Sequence, residues 1–448
     1  MRDGDLRRHR GNTLNPVTGP LLYSTCPLKD DVLGLLQARA RASGRLIERD
    51  GLLVLGFGVA GMVELANGLI DSAGLSGAVA KLGAIAPLDG ARPVASSSAF
   101  APTVPLALGA LPFDRRVASR LVIPELTVVA RAGQRATALA VGPATRVNAL
   151  LIRAADGEAP GAKARANAEL APPDEFRLAS ARPHQDFLNR VSNALAEIES
   201  GRLDKIVLAR EVTVEANRPL RQGDLFARLR SLHPSCATFA LDGFIGASPE
   251  LLICREGARI SSRPLAGTAA RSGDPEADAK LEAALLASSK ERSEHRVVVE
   301  TIAAALAPVV EHLEVPDEPA IMQLRNVSHL GTSMHGLLSS AKDGYLNALE
   351  LVGLLHPTPA VAGTPVDLAL DYLAKLEDID RDRYAGPLGW VDAKGDGEWY
   401  LGIRSAIVAG SSARLFAGVG IVADSDPAAE LAETQLKLQA FLAAAVRP

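Results

Sequence analysis

Apolar and polar positions along this chain change period several times, and each change marks out an element. Over residues 280–300 the run KLEAALLASSKERSEHRVVVE sets Leu281, Leu285, Leu286, Val297 and Val298 at helical spacing, with Glu291 and Glu294 three apart on a polar flank. This predicts one long amphipathic helix. A second, over residues 427–444, carries Glu430, Glu433 and Lys437 on one face at i, i+3 and i+7, anchored by Leu431, Leu438, Phe441 and Leu442. Shorter helices are predicted over 31–43, 75–82, 184–200 (stopped by Gly201), 225–232, 348–355 and 366–373.

Period-two segments predict strands. LIERDGLLVLGFGVAGMVEL, from residue 46, reads as strands around a turn at Asp50-Gly51, and 121–124, 126–130 and 137–141 follow. In DKIVLAREVTV, over 204–214, Ile206, Leu208, Val212 and Val214 share one face, while Lys205, Val207, Ala209, Glu211 and Thr213 share the other. Lys205 therefore opens a strand on its less apolar face. Further strands are expected at 238–241 and 250–255 and in GPLGWVD, WYLGIRSAIVAG and RLFAGVGIVA near the end. Many antiparallel strands with separate helices predict an α+β fold rather than a doubly wound sheet. Residues 1–30 read as an extension. The stretch 155–183, rich in Ala, Pro, Gly and charge, reads as a linker or surface excursion between a first part, 31–175, and a second, 184–446.

Composition narrows the function. The 448 residues, 48% hydrophobic, supply a large core in one to three domains, and 48 Lys+Arg against 52 Asp+Glu leave a net charge of −4. LRRHR near the amino end is the only block of like charge, so no nucleic-acid or membrane footprint is expected. Cys26, Cys236 and Cys254 are too scattered for a metal cluster and read as reduced thiols of a cytoplasmic protein. The first twenty residues lack the apolar core of a secretory signal. The long uncharged run 93–113 is interrupted by Pro102, Pro105 and Pro112, so it is not expected to cross a membrane.

Two sets of residues could carry chemistry. Gly56, Gly58 and Gly61 spell G-x-G-x-x-G after LLVL, with Asp71 beyond, the outline of an NAD(P)-binding turn in an oxidoreductase. Neither a long amphipathic helix nor a valine-rich second parallel strand follows, and glycines at a strand bend explain the same letters. The second set is Lys205, Glu250, Glu294, Glu430, Glu433, Lys437 and Arg404. Taken singly these are ordinary surface charges, except Arg404, which sits in an apolar segment and must find a partner. Taken together, three carboxylates from two helices suit Mg²⁺, which binds through one or two carboxylates plus an anionic substrate. Arg404, Lys437 and backbone N–H groups around Gly267-Thr268 and Gly418-Val419-Gly420 suit a further carboxylate. That combination describes a small dianion, with Lys205 as base and Glu250 as acid.

The segments LDKIVLAR, GASPELL, RPLAGTAAR, SKERSEH, HPTPAVAGTP, the tract 384–404 and FAGVGIV followed by ELAETQLKL resemble, in that order, the chorismate-utilising enzymes: isochorismate, salicylate, anthranilate and aminodeoxychorismate synthases. The resemblance covers residues 184–446, and GALPFD followed by LVIPE is most similar to isochorismate synthase. It implies a large α/β sandwich of antiparallel sheets with outer helices and a deep central cleft. By resemblance Lys205 matches the base that activates water, and Glu250 the acid that protonates the departing C4 hydroxyl of chorismate. Glu294 and Glu433 match the Mg²⁺ ligands, with Glu430 beside them. Gly267, Thr268, Ala360, Tyr384, Arg404, Gly418, Val419, Gly420 and Lys437 match substrate contacts, and His329 a pocket residue. Anthranilate synthase typically carries Gln where Lys205 stands, and aminodeoxychorismate synthase a Lys where Ala266 stands. That leaves isochorismate synthase, with salicylate synthase, which adds a pyruvate elimination, as the alternative. The family includes monomers, so a monomer or dimer is expected.

Overall fold

Among the described residues, segments of alternating or continuous apolar character pair into three antiparallel-dominated sheets, of thirteen, nine and three strands. The computed structural model describes residues 20–89, 103–161, 171–340 and 344–446. The two large sheets face each other: Ile47, Val54 and Phe239 of one pack with Leu108, Trp390 and Tyr400 of the other in a shared core. Helices cover the outer faces, Leu36 and Phe226 among others packing on the larger sheet and Leu75, Leu351 and Val298 within the core on the side of the smaller. Burial on both faces explains why strands such as LLVLGF read as unbroken apolar runs.

Both sheets draw on chain from before and after the 155–183 stretch. Arg45–Arg49 pairs with Ala237–Leu241, and Leu106–Ala110 pairs with Pro387–Asp392. That stretch, of which 162–170 lie outside the described residues, thus runs between parts that share their sheets. Of the amino-terminal extension, residues 1–19 likewise lie outside the described residues, while Leu22–Pro27 forms a strand.

The elements that line the central cleft, and those that flank its lysine-bearing strand, come mostly from the second part. They are β1 (Phe176–Ser180), β2 (Lys205–Ala216), β3 (Leu265–Ala270), α1 (Ser289–Leu306) and β4 (Val327–Gly331), followed by β5 (Gly363–Thr364), α2 (Val366–Leu376), β6 (Ser412–Ile421) and α3 (Pro427–Ala445). β2 runs antiparallel to β6 over ten residue pairs, from Ile206 opposite Ile421 to Glu215 opposite Ser412. β3 and β4 pair so that Thr268 lies opposite His329.

Two expectations change, and the dinucleotide-turn alternative is excluded. The helix predicted over 280–300 is two helices, Pro275–Ala287 and α1, because Ser288 leaves helical geometry and its side chain accepts the Glu291 N–H. Serine competes for backbone N–H groups and favours this capping position over a helix interior. Gly61 starts a strand antiparallel to Ser119–Ile123, so no helix N-terminus follows the Gly56–Gly61 turn to receive a pyrophosphate. Gly58, at φ +65°, turns the corner between the two strands. Asp71 is spent on accepting the Gly74 N–H at the start of a helix. Finally, β2 is buried from Lys205 to Arg210, so the face expected to be less apolar is closed off as well.

Among the described residues no helix is long and apolar enough to cross a membrane. All three cysteines are free thiols.

Candidate active site

The cleft lies where β2 and β6 end against β3, β4, α1 and α3, and encloses about 800 Å³ counting its open mouth. Its walls carry five carboxyl groups, Glu250, Glu291, Glu294, Glu430 and Glu433, and four cationic side chains, Lys290, Arg381, Arg404 and Lys437. α1 contributes Lys290, Glu291 and Glu294 from one turn, and α3 contributes Glu430, Glu433 and Lys437 from one face.

Glu250 follows the strand Phe244–Ser248 and is only 4% exposed. Burial pushes its carboxyl up to about 7, against the opposing pull of the Leu265 N–H and of Lys205, Arg404 and Lys437. A carboxylic acid that keeps its proton near neutrality is equipped to donate it.

Lys205 is 3% exposed and lies one layer behind the cleft surface, with Nζ 2.8 Å from Oε1 of Glu294. Gly420 makes this pairing possible: a β-carbon there would stand 2.6 Å from Glu294 Oε1 and 2.7 Å from Lys205 Cε. A buried ammonium is acceptable only with such a partner. The Val419 side chain turns into the core by strand alternation, while Gly418 and Gly420 line the cleft on either side of it.

Arg404 adopts φ +53°, an uncommon backbone conformation for a residue with a side chain. Among the described residues no carboxylate forms an ion pair with it. Its Nη2 lies 2.9 Å from Nε2 of His329, whose Nδ1 lies 2.9 Å from the Gly267 carbonyl. A carbonyl only accepts, so the proton sits on Nδ1 and Nε2 accepts from Arg404. Burial, with Arg404 and Lys437 nearby, pushes the imidazole down to about 3, so it stays neutral. The guanidinium is thereby aimed into the cleft with its remaining donors free for an anion. Tyr384 stacks on Phe416 with centroids 5.1 Å apart, and its hydroxyl stands 3.1 Å from where a Gly418 β-carbon would be. Burial pushes that phenol up to about 12.

The acidic side of the cleft has the character of a site for a hard divalent cation. Burial and the neighbouring Glu433 push Glu430 up to about 7, in spite of Ser425 and Lys290. Burial and then Glu294 raise Glu291. Burial would raise Glu433 as well, yet Lys437, 2.5 Å away, holds it below the ordinary range. Carboxylates that raise one another's proton affinity inside one cleft are the oxygen donors such a cation neutralises. Among the described residues no three His, Cys, Asp or Glu side chains already stand as a closed ligand cluster. The set thus fits an ion bound by one or two carboxylates with a ligand completing its shell, rather than a protein cage.

The structure brings together Glu250, Gly267, Thr268, Glu294, His329, Ala360, Tyr384, Arg404, Gly418, Gly420, Glu430, Glu433 and Lys437 around this cleft, with Lys205 behind it. Three charged lining groups were not among the candidate site residues. Glu291, which accepts the Thr268 N–H at 3.0 Å, was legible from its spacing to Glu294, and Lys290 is its neighbour. Arg381 had no such signal, standing in the charged run DIDRDRY.

These features define an α+β enzyme of two facing antiparallel sheets with a cleft lined by acidic and basic side chains. The chain belongs to the chorismate binding enzyme family, whose sequence profile matches residues 95–446. It is 38% identical over 351 residues to isochorismate synthase DhbC of Bacillus subtilis, covering 76% of this chain and 80% of that one. Isochorismate synthase EntC of Escherichia coli K12 is 35% identical over 345 residues, 75% of this chain and 80% of that one. Among solved structures, a putative 2,3-dihydroxybenzoate-specific isochorismate synthase, DhbC from Bacillus anthracis, superposes with a TM-score of 0.75 at 32% identity, covering 92% of this chain and 99% of that one.

Proposed function

We propose that the protein is an isochorismate synthase, which isomerises chorismate by adding water at C2 and expelling the C4 hydroxyl. The observation that carries the reading is the pairing of opposite proton tasks at one cleft: Glu250, protonated near neutrality, and Lys205, whose amine nitrogen is held by Glu294. Lys205 Nζ acts as the neutral amine: it takes a proton from the water that attacks C2 and becomes the ammonium that Glu294 pairs with. Glu250 gives a proton to the departing C4 oxygen, so the hydroxyl leaves as water, and a proton passing from Lys205 through solvent to Glu250 restores both groups.

Arg404, held by His329 and free of any carboxylate among the described residues, would take a substrate carboxylate through its planar fork. Lys437 would complete the anion's contacts. We infer that the cation is Mg²⁺, held by Glu294 and Glu433 with Glu430 beside them, where it would neutralise and orient a second substrate carboxylate. Ala266 lines the cleft without offering a nucleophile, leaving space for water. The names of the relatives above support the same reaction.

Incubation with chorismate and Mg²⁺, followed by chromatography, tests the proposal. Isochorismate is the expected product. Salicylate with pyruvate, or no conversion with and without added ammonia, would overturn it.

A further inference from the structure

β2 is the strand that carries Lys205, and one of its edges is incompletely paired. β6 runs along one side over ten residue pairs. On the other side, β5 reaches only Lys205 and Ile206, with the Val207 N–H donating to Ala362 just beyond. β1 takes over only at Val212. A gap therefore opens beside Val207 and Ala209, immediately after the lysine.

Two side chains bridge that gap. The Glu377 carboxylate, at the end of α2, accepts the Ala209 N–H at 2.6 Å, and Arg381 donates to the Val207 carbonyl at 2.7 Å. The two residues are joined by a bidentate ion pair, with Arg381 Nε 2.6 Å from Glu377 Oε2. They are 3% and 5% exposed. Arg381 makes two further attachments. Its Nη1 donates to the Val361 carbonyl at 2.8 Å, and its guanidinium lies 4.2 Å from the centroid of the Phe113 ring. Val207, Val361 and Arg381 itself all line the cleft, and the Tyr384 N–H is held by the Arg381 carbonyl. One buried ion pair thus stands in for a missing stretch of strand and ties three walls of the cleft to the backbone that aims Lys205.

We propose that Glu377 and Arg381 are positioning residues for the reaction: they fix β2 where its edge is open and so set the direction of Lys205. This rests on the reading of Lys205 as the base. A buried pair of this kind is weak evidence for stability, because desolvation offsets its attraction, whereas its geometry is specific. Lysine in place of Arg381 would keep the charge and lose the fork that serves Glu377, Val207 and Val361 together.

The test compares Glu377→Gln, Arg381→Lys and Phe113→Leu with the wild type, each alone and in a Lys205→Ala background. Circular dichroism and thermal unfolding verify that each is folded. The first two are expected to lose at least tenfold in kcat with KM within about threefold of wild type. Phe113→Leu, which leaves the ion pair intact, is expected to lose less, about two- to fivefold. In the Lys205→Ala background all three are expected to add no further loss to the residual turnover, since the group they aim is gone. Folded variants with wild-type kcat, a loss confined to KM, or losses that multiply with Lys205→Ala would overturn the inference. Should both ion-pair variants fail to fold, the kcat of Phe113→Leu decides in the same way. A wild type that leaves chorismate unchanged overturns the function itself, whereas an active wild type with equally active variants overturns this inference alone.

Discussion

Lys205 Nζ lies 2.8 Å from Oε1 of Glu294, joining the first residue of a central strand to a helix far along the chain. The contact gives the ammonium its counter-charge in a site where an unpaired one would be costly. It also brings the proposed base and a proposed cation ligand into direct contact.

Replacing Lys205 by Ala should lower kcat by about 10²–10⁴-fold, the range of a lost general base, with the protein still folded. Product chromatography at saturating chorismate measures the first, and circular dichroism the second. Water addition at the wild-type rate would refute the role.

Gly420→Ala is expected to act through the same pair. Its new methyl group would stand 2.6 Å from Glu294 Oε1 and 2.7 Å from Lys205 Cε, so one of the two must give way. Overpacking of this kind costs about 1–3 kcal/mol of stability, and displacement of Lys205 should reduce kcat by about tenfold or more. Serine should be at least as harmful. A fully active alanine variant would mean that the pair relaxes without consequence.

The pH profile follows from Glu250. With its carboxyl pushed up to about 7, the proton-donating form prevails below that pH and is lost above it. The kcat/KM should therefore fall on the alkaline side of about 7, approaching tenfold per unit. Glu250→Gln cannot donate a proton; its residual rate should lose this alkaline limb. An unchanged limb in that variant would assign the titration elsewhere.

Stability should carry its own pH signature, away from the cleft. Asp392 ends the strand Pro387–Asp392, and burial, followed by the neighbouring Asp396, pushes it up to about 7. The unfolded chain releases this proton near pH 4, so between there and about 7 the folded state binds the more protons. Its contribution is full below about pH 4 and is lost as pH rises through about 7, at up to about 1.4 kcal/mol per unit. Asp392→Asn should flatten the fall in Tm between about pH 4 and 7, keeping an oxygen to accept the Lys394 and Asp396 N–H groups that now donate to Asp392. A Tm profile parallel to wild type would refute the assignment.

Periodicity alone located the local elements well: the helix expected over 427–444 is Pro427–Ala445, and that over 348–355 matches Ala348–Leu355. Such elements follow from side-chain spacing within one turn or one pleat, which is written in neighbouring residues. The i, i+3, i+7 pattern on α3 likewise put Glu430, Glu433 and Lys437 on one face before any fold was known. Motif order added the proposed proton-transfer pair, since the types of residue needed at each position are few.

What only the tertiary structure decided are relations between elements distant in the chain. That Lys205 lies behind the cleft against Glu294, that His329 orients Arg404, and that Glu377 and Arg381 close an open sheet edge all depend on which strands meet. Pairing partners are chosen by burial and register summed over whole sheets, so no local window contains them. Even the break at Ser288, where a capping serine prevailed over helical spacing, is a contest between two local preferences that only the folded chain settles.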